Sequence, residues 1–179
     1  MRMAKAHVPQ QMIDNASGGF ATKPALARTM IERVIAANVP FSFVAADSVY
    51  GVGDMEMALR RAGKGYVLGV KINQPFHSWG KTQTVAGPAK DIADALPTSA
   101  WRRLSAGAGT KGERLHDWAY PEFADLDGGE YDEALAGQAW TRGLLIRRKI
   151  TDGDLAFFST WAPTGTTIVF LRRDPPCRN

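Results

Sequence analysis

Phe41-Ser42-Phe43-Val44-Ala45-Ala46-Asp47-Ser48-Val49-Tyr50-Gly51 is an apolar run that stops on a carboxylate, and Tyr66-Val67-Leu68-Gly69-Val70 is a second apolar run. Short apolar runs bounded by turn residues read as buried strands. Between them Gly51 and Gly53 form a turn, Asp54 is placed to cap, and Met55 to Ala62 make a short helix. Upstream, Thr22-Lys23-Pro24 opens another helix: threonine caps, and proline is tolerated in a first turn. Leu26, Met30, Ile31, Val34 and Ile35 recur at helical spacing and predict an apolar face over Ala25 to Ala37, with Arg28, Glu32 and Arg33 pointing out. Asn38 suits a left-handed stop, and Pro40 forbids continuation. Helix, strand, helix, strand with short links predicts an α/β fold with neighbouring parallel strands. Such sheets place their functional edge at the carboxyl ends of the strands, where Asp47 falls. The competing role for Asp47 is capping its own turn.

The 179 residues suit one domain, or one with an insertion. Hydrophobic residues at 45% and charged ones at 22% exclude a globally disordered chain. The longest uncharged apolar stretch, Val39 to Ala46, is far short of the roughly 20 residues of a membrane helix. Arg2 and Lys5 are not followed by a signal-peptide core, and Cys177 is the only cysteine. A cytoplasmic location without membrane partners is expected. The net charge of +4 is unevenly spread: Glu113 to Glu133 holds eight acids and one base, leaving +11 on the rest. A basic body suits a phosphate-rich partner.

Beyond Lys71 the residues to Gly137 are rich in Gly, Pro, Ser and Trp, with a short helix expected over Lys90 to Leu96. Trp140 to Arg148 and Leu155 to Trp161 read as strands joined by Thr151-Asp152-Gly153-Asp154, so an antiparallel hairpin is predicted. Gly107-Ala108-Gly109-Thr110-Lys111-Gly112 lacks phosphate-loop spacing and follows Trp101 to Leu104, which looks helical, so a flexible basic loop is expected. His7, His77 and His116 lack metal-ligand spacing and read as surface or locally bonded histidines. Trp79, Trp101, Trp118 and Tyr120 lie near Lys81, Arg102, Arg103, Lys111 and Arg114. Such interleaving can clamp nucleic acid, although core packing explains tryptophan more often. Arg147-Arg148-Lys149 is a further basic run, either a solvated end or a phosphate contact.

Several stretches together carry a family resemblance. Phe20-Ala21-Thr22-Lys23-Pro24, Val39-Pro40-Phe41, Val44 to Gly51 and Gly65 to Val70 resemble bacterial insertion-sequence transposases with a DDE catalytic domain. So do Trp101 to Gly112, Arg114-Leu115-His116-Asp117-Trp118-Ala119, and Gly143 through Leu155-Ala156-Phe157-Phe158 to Thr166. The resemblance runs from about Phe20 to Thr166 in order and spacing.

It implies a partial ribonuclease-H-like core, residues 20–72, with a β-rich insertion subdomain over 73–166, a loose lead-in over 1–19 and a divergent tail over 167–179. In that family three carboxylates hold two divalent ions, Mg2+ or Mn2+, for DNA cleavage and strand transfer at the element's ends. Asp47 aligns with the second acid, as catalytic residue and metal ligand; the basic residues noted above, Arg102, Arg103, Lys111, Arg114, Arg147, Arg148 and Lys149, are the candidate DNA contacts. The first acid would precede the Phe20 helix, where only Asp14 stands; the third would follow Thr166 on a helix, which Pro175-Pro176 would break. With one acid of three, a transposase fragment truncated at both ends and inactive alone is expected, with weak or no metal binding. The alternative is a non-catalytic fragment that binds DNA, or that pairs with itself or with intact transposase and inhibits it.

Overall fold

The computed structural model describes residues 22–50, 53–76, 87–109, 112–123 and 140–171. Helix α1 spans Lys23–Ala36; Thr22 caps it by accepting the Ala25 N–H at 3.4 Å, with Pro24 in the first turn. It ends where Asn38 adopts φ +52°, as its sequence predicts. Ala27 and Ile31 pack against Met55 and Leu59, whereas Leu26 and Met30 remain 54% and 65% exposed. The predicted apolar face is therefore split. The row through Ala27 and Ile31 meets the core, and the Leu26-Met30-Val34 row lies about 100° round the helix.

Strand β1, Phe43–Ala46, runs parallel to β2, Gly65–Val70, with Val44 opposite Tyr66 and Ala46 opposite Leu68. Helix α2, Gly53–Arg61, connects them. Asp54 lies inside its first turn rather than ahead of it, where a carboxylate still complements the helix dipole. Gly63, at φ +64°, closes α2: its N–H reaches the Arg60 carbonyl and that of Lys64 the Leu59 carbonyl.

The antiparallel strands extend the same sheet. After the two-residue strands β3 (Pro75–Phe76) and β4 (Gly87–Pro88) come helix α3 (Ala89–Ala95) and a 3-10 turn over Thr98–Ala100. Then follow β5 (Arg102–Gly109), β6 (Gly112–Ala119), β7 (Glu122–Phe123), β8 (Trp140–Lys149) and β9 (Leu155–Pro163), with one helical turn, α4, over Ile168–Leu171. The order is β1-β2-β9-β8-β6-β5, with β7 also on β8, and β3-β4 form a separate pair. The chain is thus mixed α/β with a mixed sheet. The β8–β9 hairpin is as expected, and β9 also pairs with β2, placing Leu68 opposite Ser159.

Two expectations are corrected. The stretch after Trp101 is strand, not helix: β5 pairs with β6 over Arg102↔Trp118 to Gly109↔Gly112. Its Gly- and Ala-rich sequence has little local preference, so cross-strand partners decide its conformation. Of the expected loop from Gly107, residues 107–109 and 112 belong to these two strands, and residues 110–111 lie outside the described set. After Thr166 one helical turn follows, in which the Phe170 and Leu171 N–H groups both bond the Thr167 carbonyl and Leu171 is buried.

Strand alternation gives the sheet two faces. The helix face buries Tyr66, Leu68 and Trp161 under α1 and α2, and Val70, Leu144, Ile146 and Phe157 beside α3. The other face carries Phe43, Val67, Trp118, Leu145 and Phe158, with Leu171 of α4.

A buried polar knot lies on the helix face. Arg60 is fully buried and donates from Nε and Nη2 to the Tyr66 hydroxyl at 3.0 and 2.6 Å. Glu56 Oε2 lies 3.8 Å from Arg60 Nη2 and 3.7 Å from Arg142 Nη2. The Arg60 guanidinium also sits 4.6 Å from the Trp161 ring centre. Burial pushes the Tyr66 hydroxyl pKa well up, so it stays protonated.

Removing one partner of a buried ionic group costs about 3 kcal/mol or more. Glu56→Ala should therefore lower the urea-unfolding free energy by about that much, while exposed Glu32→Ala changes it by under about 1 kcal/mol. Equal effects would show that the knot carries no special weight.

Candidate functional site

Asp47 directly follows β1 and is exposed. Its Oδ1 accepts the Val49 N–H at 3.0 Å and its carbonyl accepts the Tyr50 N–H at 3.1 Å, so it does cap its own turn. The turn lies flat on the sheet because Gly69 of β2 has no side chain. A Cβ there would stand 2.6 Å from Ser48 N and 2.8 Å from the Asp47 carbonyl carbon. The turn role leaves Asp47 on the wall of a groove.

That groove, about 440 Å3, crosses the face opposite α1 and α2. Asp47 stands at one side with Phe43 and Val67; Arg114, His116 and Trp118 of β6 and Arg147 of β8 stand at the other, and Leu145 and Phe158 line it between them. A larger cleft of about 560 Å3 separates α1 from α2. Its Arg28 is engaged with Glu32 at 2.8 Å and Asp54 at 3.6 Å.

Register sorts the basic residues between faces. Arg102, Trp118 and Arg147 are cross-strand neighbours, as are His116 and Lys149, so Arg102, Arg114, Arg147 and Lys149 all belong to the groove face. Of these, Arg114 and Arg147 line the groove, and Lys149 is held by Asp152. Arg103 and Arg148 project to the opposite face, where Asp117 takes both. Arg103 Nε donates to Oδ1 at 2.9 Å and Arg148 Nη2 to Oδ2 at 3.2 Å. Arg148 also stacks on Trp101, 4.1 Å from its ring centre. Lys111 lies outside the described residues, as do Asp14, His7, His77, Trp79 and Lys81.

Two groove residues are weighed in the sequence but not assigned to the site there. His116 Nδ1 and Trp118 Nε1 are buried with no hydrogen-bond partner among the described residues. Burial lowers the His116 pKa, helped by the positive charges of Arg147, Arg114 and Lys149, so the imidazole is neutral at pH 7. The signal was present in Arg114-Leu115-His116-Asp117-Trp118, whose alternate residues face the groove. Trp118 itself is 4% exposed, so packing and groove lining are both its role.

The chain matches no protein-family model and no curated protein.

Among the described residues no three His, Cys, Asp or Glu side chains come together as a metal site. Asp47 offers one carboxylate, and one of its oxygens already accepts a backbone N–H. Two hard divalent ions need several oxygen ligands each, so the described residues do not fit a two-metal centre. They fit an anion better: two guanidiniums, one of them 5.9 Å from the Phe158 ring centre, border an apolar floor.

The Asp117 clamp makes a pH-dependent prediction. The Arg103 hydrogen bond, with Arg148, holds the Asp117 pKa below the ordinary aspartate range. Its stabilisation is complete above about pH 4, the unfolded-chain value, and is lost as the pH falls through the lower folded value. Asp117→Asn should flatten that part of the acid-unfolding curve and leave the rest unchanged. An unaltered curve would show that the clamp is not linked to folding.

Proposed function

We propose that the chain is a ribonuclease-H-like domain of the insertion-sequence DDE transposase type, and that it binds DNA without cutting it. One observation carries the reading. Asp47, at the carboxyl end of a strand parallel to its neighbour, shares a groove with Arg114 and Arg147. The parallel β1-α2-β2 unit with an acid at its end is the arrangement the resemblance implies, and cations facing that acid suit a phosphate backbone. In the family the acids hold Mg2+ or Mn2+. Here the described ligands do not fit two such ions, so DNA contact is assigned to the basic groove face and no step is routed through a metal.

Binding follows from ordinary electrostatics. Arg102, Arg114, Arg147 and Lys149 share the groove face, and Arg102 and Arg114 are exposed. Each phosphate they neutralise releases condensed counterions, so affinity falls with salt, with a log–log slope near −0.9 per contact on duplex DNA. Arg103 and Arg148 are engaged by Asp117 on the other face and add little.

A second reading has one observation in its favour. β1 ends the strand order, and among the described residues its outer edge has no partner strand. Such an edge can add a strand from another chain. Pairing with another copy or with intact transposase would use it.

The test is a DNA gel-shift titration at several salt concentrations. Arg114→Gln and Arg147→Gln should each weaken binding and lower the salt slope by about 1, whereas Arg103→Gln should leave the slope unchanged. Salt-insensitive binding, or none at low salt, would remove the proposal. Incubation with Mg2+ or Mn2+ and DNA carrying the element's ends should give no cleavage. Cleavage abolished by Asp47→Ala would show that other acids of the chain complete a metal site.

A further inference from the structure

The groove has a polarity that general DNA affinity does not explain. Successive same-face residues on a strand are about 6.8 Å apart. Arg114, His116 and Trp118 therefore form a ladder along β6, with Arg147 beside Trp118 on β8. Across from this ladder stands Asp47, which repels phosphate. The space between is floored by Val67 and Phe158, with Leu171 of α4 also lining it and Leu145 only 1% exposed. At about 440 Å3 it falls in the size class of small-ligand pockets. Bare phosphate would leave most of that apolar surface uncovered.

The ring-bearing side chains of the ladder point the same way: Trp118 and His116 set aromatic edges along the groove beside the two arginines. His116, held neutral among Arg114, Arg147 and Lys149, can donate or accept one hydrogen bond without adding charge. Lys149 is itself held by Asp152, leaving the two arginines as the groove's cations. Arg147 over Phe158 sets a cation beside an aromatic face, the pairing that sequence-tolerant single-strand sites use.

We infer that the groove seats one nucleotide of a single DNA strand, its phosphate between Arg114 and Arg147 and its base on the Val67-Phe158 floor. The Trp118 ring and the His116 imidazole flank it, and Asp47 keeps the backbone at the arginine end by repelling phosphate from its own. This deepens the DNA reading above and rests on it. The same phosphate-plus-base chemistry occurs in a free mononucleotide, and the two sources differ in the affinity added by flanking phosphates.

The experiment follows the Trp118 indole N–H resonance of the full chain, identified by its loss in Trp118→Phe, with affinities from calorimetry. The probes are a short oligothymidylate, thymidine 5′-monophosphate, thymidine and inorganic phosphate. The oligothymidylate should shift the resonance and bind most tightly, the monophosphate should shift it more weakly, and inorganic phosphate should barely move it. Arg114→Gln, at an exposed position, should weaken oligothymidylate binding about tenfold, the loss of one charged hydrogen bond. Equal affinity for the monophosphate and the oligothymidylate would make the ligand a free nucleotide and overturn the single-strand inference. Equal shifts by inorganic phosphate and oligothymidylate would overturn the nucleotide inference. Salt-dependent duplex binding with Trp118 unmoved by oligothymidylate would also overturn it, leaving the DNA reading intact; failure of every DNA to bind would remove both.

Discussion

The buried contact of Arg60 with Tyr66, Glu56 and Trp161 connects the two kinds of strand in this sheet. Tyr66 belongs to the parallel unit, Trp161 and Arg142 to the antiparallel hairpin, and Arg60 and Glu56 to the helix between β1 and β2. A guanidinium taken out of water must find acceptors and π faces together, and few relative positions of those elements supply both. The polar knot therefore fixes how α2 sits on the β2–β9 seam. Hydrophobic packing alone tolerates sliding; a buried, directional polar cluster does not. α2 also starts a few residues after the turn that carries Asp47.

Gly69 fixes the Asp47-Ser48 end of that turn. The Asp47-Ser48 backbone rests where any side chain on that residue would stand, so the acid is carried on the sheet itself. A comparable approach occurs at Gly143, where a Cβ would fall 2.4 Å from the Tyr120 ring. Tyr120 in turn reaches the Thr160 hydroxyl at 3.2 Å, and burial pushes its pKa to about 12. One missing side chain lets Asp47 border the groove; the other lets an aromatic ring lie across the strands beside it.

Much of the helix and strand pattern was legible because its signals are local. Thr22 before Pro24, Asn38 before Pro40, and apolar runs ending on Asp47 and Val70 each act within a few residues. The Asp-Gly turn of the β8–β9 hairpin acts the same way. β5 was missed because Arg-Arg-Leu-Ser-Ala-Gly-Ala-Gly has no strong preference of its own; its conformation comes from pairing with β6. The site was half legible. Asp47 announced itself by position, but which arginines join it depends on register across three strands, and register is a tertiary fact. Seven basic residues were equal candidates in sequence. Strand alternation gives Arg114 and Arg147 to the groove and Arg103 and Arg148 to Asp117.

That sorting bears on whether the groove suits a cation or an anion. A divalent ion beside Asp47 gains the attraction of one carboxylate and meets the repulsion of Arg114 and Arg147 across the groove. A phosphate meets the opposite balance, and it gains from being away from Asp47. Asp47 and Arg114 are exposed, so solvent and salt screen these terms, which set a preference of sign more than a large energy. A two-metal centre succeeds by concentrating negative charge where the ions sit, whereas this groove distributes charge so that one end rejects an anion and the other accepts it. Charge layout alone therefore favours an anion over a divalent cation in this groove, even though a strand-end acid borders it.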